Sequence, residues 1–355
     1  MSEGVKLLIT TDSVGGVWRY AVTLAASLAA RGLPSVLAVL GPDATAAQVR
    51  DAPVRVIQTG LPLDWTAADP AALHGASAGL AALASSLGVA GVHLHAPALI
   101  GTVRWPAPVV AVTHSCVATW WDAVRGGVRD PDLAWRIAAT RAGLYAATAV
   151  IAPTAAHAAD TRHIYGPVPI TTVHNGAVPV TTAAVRAPAI LTAGRLWDEG
   201  KGVAWLDRAA PSMAVPVRAA GPVQGPVQGP MHGPVGGRVR LANLDLLGTL
   251  EPAAMAQAMA EATVFASLSA YEPFGLAVLE AAQAGCALVL RDIPSARELW
   301  DGAAVFVAEE GALVPALHRA LRDSATWGAQ AQARARRYTV SAMVDGTLAA
   351  HRMMA

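Results

Sequence analysis

The stretch YEPFGLAVLE, residues 271–280, indicates a strand that turns directly into a helix. An apolar run of strand type, residues 263–268, precedes it, and an alanine-rich helical pattern, residues 276–284, follows it. Pro273 fixes its own φ and favours an extended conformation at Glu272, while Gly275 lets the backbone pass close to a ligand. The first N–H groups of the helix then face one point together with the positive end of the helix dipole. Such a turn favours phosphate.

Two carboxylates, Glu272 and Glu280, frame this turn. Carboxylates repel phosphate but accept hydrogen bonds from hydroxyls, so beside an anion site they suit the sugar parts of a sugar nucleotide. Their spacing alone also fits an ordinary surface pair, but the surrounding motif is much rarer than two glutamates. The stretch resembles glycosyltransferase family 4, which comprises retaining enzymes of GT-B fold, and the two glutamates match its Glu-x7-Glu motif.

The rest of the chain predicts an α/β protein with doubly wound parallel sheets. Apolar strand-like runs alternate with helical patterns of ~10 to 17 residues, and ligands of such sheets bind at the carboxyl ends of the strands. A length of 355 residues suits two domains. The resemblance implies a GT-B fold, in which two Rossmann-like domains face each other across a cleft. We expect an acceptor-side domain at residues 1–178 and a donor domain at 188–337, with a C-terminal helix, about 338–355, packing back on the first.

Composition excludes several other classes of protein. A formal net charge of +1 without basic blocks argues against a nucleic-acid partner. No apolar run reaches the ~18 residues of a membrane span, and peripheral membrane contact stays open. Cys116 and Cys286 form neither a disulfide framework nor a paired metal spacing, and they fit buried thiols in a reducing cytoplasm. Residues 1–12 run directly into a strand pattern without a visible signal peptide, which favours a cytoplasmic protein.

A second anion-binding pattern is GRLWDEGKG, residues 194–202, which again lies between a strand and a helix. Arg195 presents a fork that grips two phosphate oxygens, and Lys201 adds a point charge. Solvated surface charges are the alternative, but Lys201 is one of only two lysines in a chain that otherwise uses arginine. The motif resembles the Gly-Arg…Glu-x-Lys-Gly phosphate clamp of the same family.

A glycine pair, Gly15 and Gly16, lies between the first strand and the first helix. It lacks the GxGxxG spacing of a dinucleotide fingerprint, so the residues alone fit a structural turn as well as a ligand contact. The resemblance implies that this pair lines the cleft beside the donor's phosphates and the acceptor.

Three histidines follow or end predicted strands. His93 and His95 share one face of a strand, and they fit packed histidines better than a metal pair, because no third ligand lies nearby in sequence. A lone histidine such as His114, directly after the strand 109–113, is usually structural. Its position resembles the family's active-site histidine, which implies contact with the transferred sugar.

Two further stretches bear on the acceptor and on departures from the family. Trp120 and Trp121 fit either an apolar platform for the acceptor or packing against the helix that starts near Leu133. Residues 221–237 repeat GPVQ-like units, which we interpret as a loop, where the family usually has a short helix. Asp292-Ile293 stands in a loop in which many members carry a glycine pair.

The resemblance implies a hexosyltransferase that moves a hexose from a nucleotide sugar, a UDP- or GDP-sugar, to an acceptor hydroxyl with retention. Arg195 and Lys201 would stabilise the leaving diphosphate without a metal or a cofactor. Glu280 would bind the ribose, and Glu272 with the backbone of Phe274, Gly275 and Leu276 would bind the sugar. The acceptor is a sugar, a lipid-linked sugar or a small molecule. A GT-B nucleotide-sugar epimerase and a non-catalytic nucleotide-sugar-binding protein remain the alternatives.

Overall fold

The structure is a computed structural model that describes residues 6–179, 186–225 and 239–352. The described residues form two compact units. The first contains those up to Gly176 together with those from Val340 onward, and the second contains those from Ala177 to Thr339. Most of the predicted GPVQ loop, residues 226–237, lies outside the described residues.

The first unit is a parallel sheet with helices. Its elements in chain order are β1 (Leu7–Thr11), α1 (Gly16–Ala30), β2 (Ser35–Val39), α2 (Ala46–Asp51), β3 (Arg55–Gln58), α3 (Pro70–Leu87), β4 (Gly91–Leu94), β5 (Val109–Val112), α4 (Val117–Val124), α5 (Ala134–Ala146), β6 (Ala149–Ala152), α6 (Ala155–Tyr165) and β7 (Thr171–Thr172). Within the described residues, the strands lie in the order β3-β2-β1-β4-β5-β6-β7, and every pairing is parallel.

The second unit repeats this architecture. Its elements are β8 (Ile190–Ala193), α7 (Val203–Ala209), β9 (Val217–Ala220), β10 (Asp245–Gly248), α8 (Pro252–Glu261), β11 (Val264–Ser267), α9 (Leu276–Gln283), β12 (Ala287–Arg291), α10 (Pro294–Trp300), β13 (Val305–Val307), α11 (Leu313–Arg322) and α12 (Ser324–Ala335). Among the described residues the strand order is β10-β9-β8-β11-β12-β13, again with parallel pairings.

Local sequence explains these elements. The central strands are buried on both faces, which matches their continuous apolar runs and is typical of parallel sheets covered by helices. Asp69 caps α3 by accepting the Ala72 N–H, and Gly88 ends it in a left-handed conformation. Thr154 caps α6 in the same way by accepting the His157 N–H. The predicted doubly wound α/β architecture is confirmed.

The last helix, α13 (Val340–Ala350), packs in the first unit. Its Met343, Val344 and Leu348 share a buried cluster with residues of β1 and α1 such as Leu7 and Leu24. Gly346 permits a close approach, because a Cβ there would lie 2.8 Å from a methyl of Val173. No helix in the described part of the chain is long and apolar enough to span a bilayer.

The sequence interpretation missed one helix beside a candidate residue. Residues 117–124 form α4, and the Cys116 thiol accepts its N-terminal hydrogen bond from the Thr119 N–H at 3.4 Å. A thiol is a weak acceptor and an uncommon cap, so the start of this helix carries no ordinary capping signal. Trp120 and Trp121 therefore lie on a helix that directly follows His114.

Candidate functional site

Loop 194–202 of the second unit places two cations at the carboxyl edge of its sheet. The loop leaves β8 and continues into α7. Gly202 adopts a left-handed φ of 62°, and a Cβ there would overlap the Leu268 carbonyl oxygen. Gly221 at the end of β9 is equally restricted, because its Cβ would overlap the Gly194 carbonyl. These close approaches explain why glycine is needed at position 202, in the loop, and at position 221, which packs against it.

Asp198 holds the loop and orients Arg195. Its Oδ1 accepts the Gly200 N–H at 2.9 Å, and its Oδ2 lies 3.0 Å from Nη2 of Arg195. Asp198 is buried, whereas the Arg195 side chain is 46 % exposed. Arg195 therefore keeps part of its fork open to solvent while one edge is fixed. The sequence interpretation did not single out Asp198, although its position three residues after an arginine fits a local ion pair.

The turn after β11 approaches the same loop. The Ala270 N–H donates to the Gly200 carbonyl at 2.8 Å, which ties the turn to the loop. Nζ of Lys201 then lies 2.6 Å from Oε2 of Glu272, and the two side chains are 20 % and 24 % exposed. The Ser269 hydroxyl lies 3.5 Å from the same carboxylate oxygen. The structure thus brings together two predicted site residues from motifs 71 positions apart.

Helix α9 begins where the predicted anion site lies. Gly275 precedes it in a left-handed conformation with a φ of 85°, and no side chain caps the helix. The first turn of α9 therefore leaves its backbone donors to a ligand or to solvent rather than to a capping side chain. Glu280 lies in the second turn of this helix and is buried. Phe274 and Leu276 flank the glycine, and Phe274 packs into the core of the unit.

The loop that contains Asp292 and Ile293, where this chain departs from the family pattern, contacts and stabilises this turn. The Ser295 hydroxyl, in the first turn of α10, donates to the Glu272 carbonyl at 2.6 Å. Asp292 forms two 2.7 Å hydrogen bonds with Arg297, and these bonds lower the pKa of the Asp292 carboxyl. Side-chain interactions thus support the backbone where many members carry a glycine pair. Ser295 was not predicted, since a single serine gives no signal for such a contact.

A cavity of about 20 Å³ lies beneath the turn. It has room for about one water molecule and is too small for a hexose. Its lining residues are Ser267, Ser269, Glu272, Phe274, Val278, Leu290, Arg291, Ile293, Ala296 and Trp300.

In the first unit, His114 belongs to a buried aromatic cluster, the histidine cluster, formed by Tyr20, His93, His95, His114 and His351. The ring of His114 lies 4.6 Å from that of Tyr20 and 4.8 Å from that of His95, both edge-to-face. His93 Nε2 lies 3.3 Å from the Tyr20 hydroxyl, and its Nδ1 lies 3.2 Å from Nε2 of His351.

Burial governs the protonation of these rings. Desolvation lowers the pKa of His114 to about 3, with a smaller contribution from His157, and it lowers the pKa of His93 and His95 well below the usual value. His114 is therefore neutral at physiological pH. Among the described residues, Nε2 of His114 and both ring nitrogens of His95 have no hydrogen-bond partner. No group of three metal-ligating side chains in the described ranges is placed to hold a metal ion.

The remaining predicted residues occupy the start of α1 and helix α4. Gly15 adopts a φ of 80° before α1, and Gly16 is the first residue of that helix. This conformation accounts for a glycine at position 15 without any ligand. Trp120 and Trp121 are half-buried, and the guanidinium of Arg125 lies 5.4 Å and 4.9 Å from their ring centroids. The Trp121 indole N–H donates to the Gly126 carbonyl at 3.2 Å.

Solved structures share this arrangement of two parallel-sheet units. Sucrose-phosphate synthase from Thermosynechococcus elongatus superposes with a TM-score of 0.76 at 18 % identity, covering 98 % of both chains. Anabaena HepE, solved in complex with UDP and glucose, gives 0.74 at 15 % identity and covers 99 % of this chain and 100 % of its own. Trehalose 6-phosphate synthase from Burkholderia multivorans gives 0.69 at 17 % identity over 98 % of each chain. The fold is that of the GT-B glycosyltransferases.

Family profiles identify the glycosyltransferase family to which the chain belongs. The profile described as Glycosyltransferase Family 4 matches residues 14–179, and the one described as Glycosyl transferases group 1 matches residues 187–323. Together the two ranges span most of the sequence, and the chain belongs to these family 4-like, group 1 glycosyltransferases. A search of curated protein sequences finds no significant match.

Proposed function

We propose that this glycosyltransferase moves a hexose from a UDP- or GDP-sugar to an acceptor hydroxyl with retention at the anomeric carbon and without a metal ion. The observation that carries the proposal is the contact of Lys201, whose loop also bears Arg195, with Glu272 in the turn that leads into α9, a helix without a side-chain cap. A nucleoside diphosphate gains negative charge as it leaves, and preorganised cations and backbone donors stabilise that charge. HepE, a protein of the same fold, was solved with UDP-glucose, which supports a nucleotide-sugar donor here.

The carboxylates of the second unit support roles in holding the donor. Glu272 lies beside Lys201 of the proposed diphosphate clamp, where it would accept hydrogen bonds from sugar hydroxyls, and the backbone of residues 274–276 would add donors. Glu280, buried one turn further into α9, would accept hydrogen bonds from the ribose. The contributions of Gly15, Gly16, His114, Trp120 and Trp121 stay predictions from the family resemblance.

The experiment that tests the function is a binding and slow-hydrolysis screen with UDP-, GDP-, ADP- and TDP-sugars. We expect micromolar to millimolar binding of one donor class, with hydrolysis in the absence of an acceptor. NMR of the released sugar also separates transfer from epimerisation, because epimers have the same mass but different configurations. Binding of none of the four nucleotides would overturn the proposal.

Stereochemistry and metal dependence form a linked prediction. Glu272 is paired with Lys201 and Glu280 is buried in α9, so neither is arranged as a nucleophile supported by a second acid–base group. We expect excess EDTA to leave the rate unchanged and NMR of the product to show the donor's anomeric configuration. An inverted product, a glycosyl adduct on a carboxylate, or activity that EDTA abolishes and magnesium restores would contradict the mechanism.

Glu280 provides a separate prediction for nucleotide affinity. Glu280→Ala should weaken nucleotide binding by about 2 to 3 kcal/mol, because charged hydrogen bonds to the ribose would be lost. Calorimetry measures the change, and thermal unfolding of the variant checks that the buried site still folds. A 2′,3′-dideoxynucleotide serves as a matched ligand, since Glu280→Ala should barely affect its affinity. An unchanged affinity for the ordinary nucleotide would exclude the ribose role.

A further inference from the structure

Lys201 forms an ion pair with Glu272, the first glutamate of the motif. Its ammonium contacts Glu272 at 2.6 Å, and about four fifths of each side chain is buried. A diphosphate that binds Lys201 therefore competes with this carboxylate for the single charge and the three donors of the ammonium. Because the carboxylate and the diphosphate carry the same sign of charge, their closeness also opposes binding.

Arg195 does not impose this competition. Its carboxylate partner, Asp198, is fixed by the Gly200 N–H within the same loop, and the Arg195 side chain is 46 % exposed. A guanidinium has five donors, so Arg195 can contact phosphate while it keeps Asp198. The Lys201 ammonium has fewer donors and is mostly buried, so its contact with Glu272 is the one that a diphosphate weakens.

The Glu272 side chain can change its contacts while the backbone of the turn stays fixed. Its backbone carbonyl accepts the Ser295 hydroxyl at 2.6 Å, which fixes the main chain. If residue 275 had a Cβ, that atom would lie 3.2 Å from Cγ of Glu272. The absence of that Cβ leaves room for rotation of the glutamate about its own χ angles.

We propose that Glu272 is a specificity-determining residue that favours the nucleotide sugar over the nucleoside diphosphate released after transfer. This inference rests on the proposed function. With the intact donor, sugar hydroxyls replace the ammonium as hydrogen-bond donors to the Glu272 carboxylate, so the exchange is compensated. With the diphosphate alone, the carboxylate loses its cation and gains no donor. Glu272 thereby weakens product inhibition at the same clamp.

The test is calorimetry of Glu272→Gln with inorganic pyrophosphate, UDP and UDP-glucose, or with the GDP pair if the donor screen selects guanine. The amide keeps the side-chain shape but removes the charge. We expect pyrophosphate and the nucleoside diphosphate to bind about tenfold more tightly than to the unaltered chain, as for the loss of one partly buried competing charge. The nucleotide sugar should not gain affinity, so the preference for donor over product should fall by about the same factor.

Two further variants separate this inference from the proposed function. Lys201→Met should weaken diphosphate binding, and Glu272→Gln added to Lys201→Met should give no tightening, because the competition acts through Lys201. Glu261→Gln is the matched control, since Glu261 ends α8 before β11, at the opposite edge of the sheet, and accepts a hydrogen bond from Gln257. It removes the same charge and should leave all affinities unchanged.

Each outcome decides one question. If Lys201→Met weakens diphosphate binding but Glu272→Gln does not tighten it, the specificity role is overturned and the clamp stands. Glu272→Gln could instead tighten diphosphate binding equally in the Lys201→Met variant. Repulsion between the carboxylate and the diphosphate would then explain the effect without Lys201, and the inference would be overturned. If Lys201→Met has no effect on any ligand, the phosphate clamp of the proposed function is itself overturned.

Discussion

Replacing Lys201 with alanine should lower the turnover rate of hexosyl transfer by about 100-fold or more. Lys201 is a mostly buried cation at the carboxyl edge of the second sheet, where the leaving diphosphate would gain charge. An interaction that strengthens as the bond breaks affects kcat more than KM. Steady-state kinetics with the donor identified by the screen measure both constants.

Lys6→Ala is the matched control for this experiment. Lys6 is the only other lysine in the sequence and is exposed in the first unit, so its loss should leave both constants unchanged. Lys201→Arg keeps the charge but changes its geometry, and partial recovery there would show that charge accounts for part of the effect. Equal losses in donor affinity and in kcat/KM, with kcat unchanged, would reduce Lys201 to a simple binding residue.

The two loops between strand and helix could be predicted because each is a local pattern. YEPFGLAVLE and GRLWDEGKG each carry a glycine-bearing turn that links the end of a strand to the start of a helix. Their chemistry depends on residue types that are visible in the sequence. The parallel sheets could be predicted for the same reason, since apolar runs of strand length alternate with helical patterns.

Contacts between distant residues could not be predicted in this way. The Lys201–Glu272 ion pair joins positions 71 apart, and it follows from the hydrogen bond between Ala270 and Gly200 that aligns the two loops. The face shared by His93 and His95 was visible, but the contact of His93 with His351 joins positions 258 apart. It depends on the packing of α13 in the first unit, which no local pattern specifies.

The histidine cluster makes the first unit sensitive to acid, and its stability should fall steeply between pH 6.5 and 4. Burial lowers the pKa of His114 to about 3 and that of His157 and His351 to about 4, and it lowers those of His93 and His95 as well. Below pH 6.5 the unfolded chain binds protons that the folded chain does not. The stability is therefore complete above the ordinary histidine pKa and is lost as the pH falls toward the folded values.

The size of this effect is large because several rings act together. When the pKa of one histidine falls from 6.5 to 4 on folding, the free energy of unfolding is about 2 kcal/mol lower at pH 5 than at pH 7.5. A few such groups reach the total stability of an ordinary domain, roughly 5 to 15 kcal/mol. Burial raises the pKa of Asp64, which opposes the trend, while Asp292 and Glu310 have lowered pKa values and act only at more acidic pH.

Urea unfolding at a series of pH values, followed by circular dichroism, measures the loss. His351→Gln should reduce the number of protons taken up on unfolding by about one, because it removes one ring whose pKa burial lowers. His74→Gln, on the exposed face of α3, is the control for replacing a histidine with glutamine. Since His351 follows α13, a lower overall stability of His351→Gln would reflect lost packing, but the slope of stability with pH reports the titration itself. A slope unchanged by His351→Gln, or a stability that is flat between pH 7 and 5, would show that these rings do not stay neutral in the folded chain.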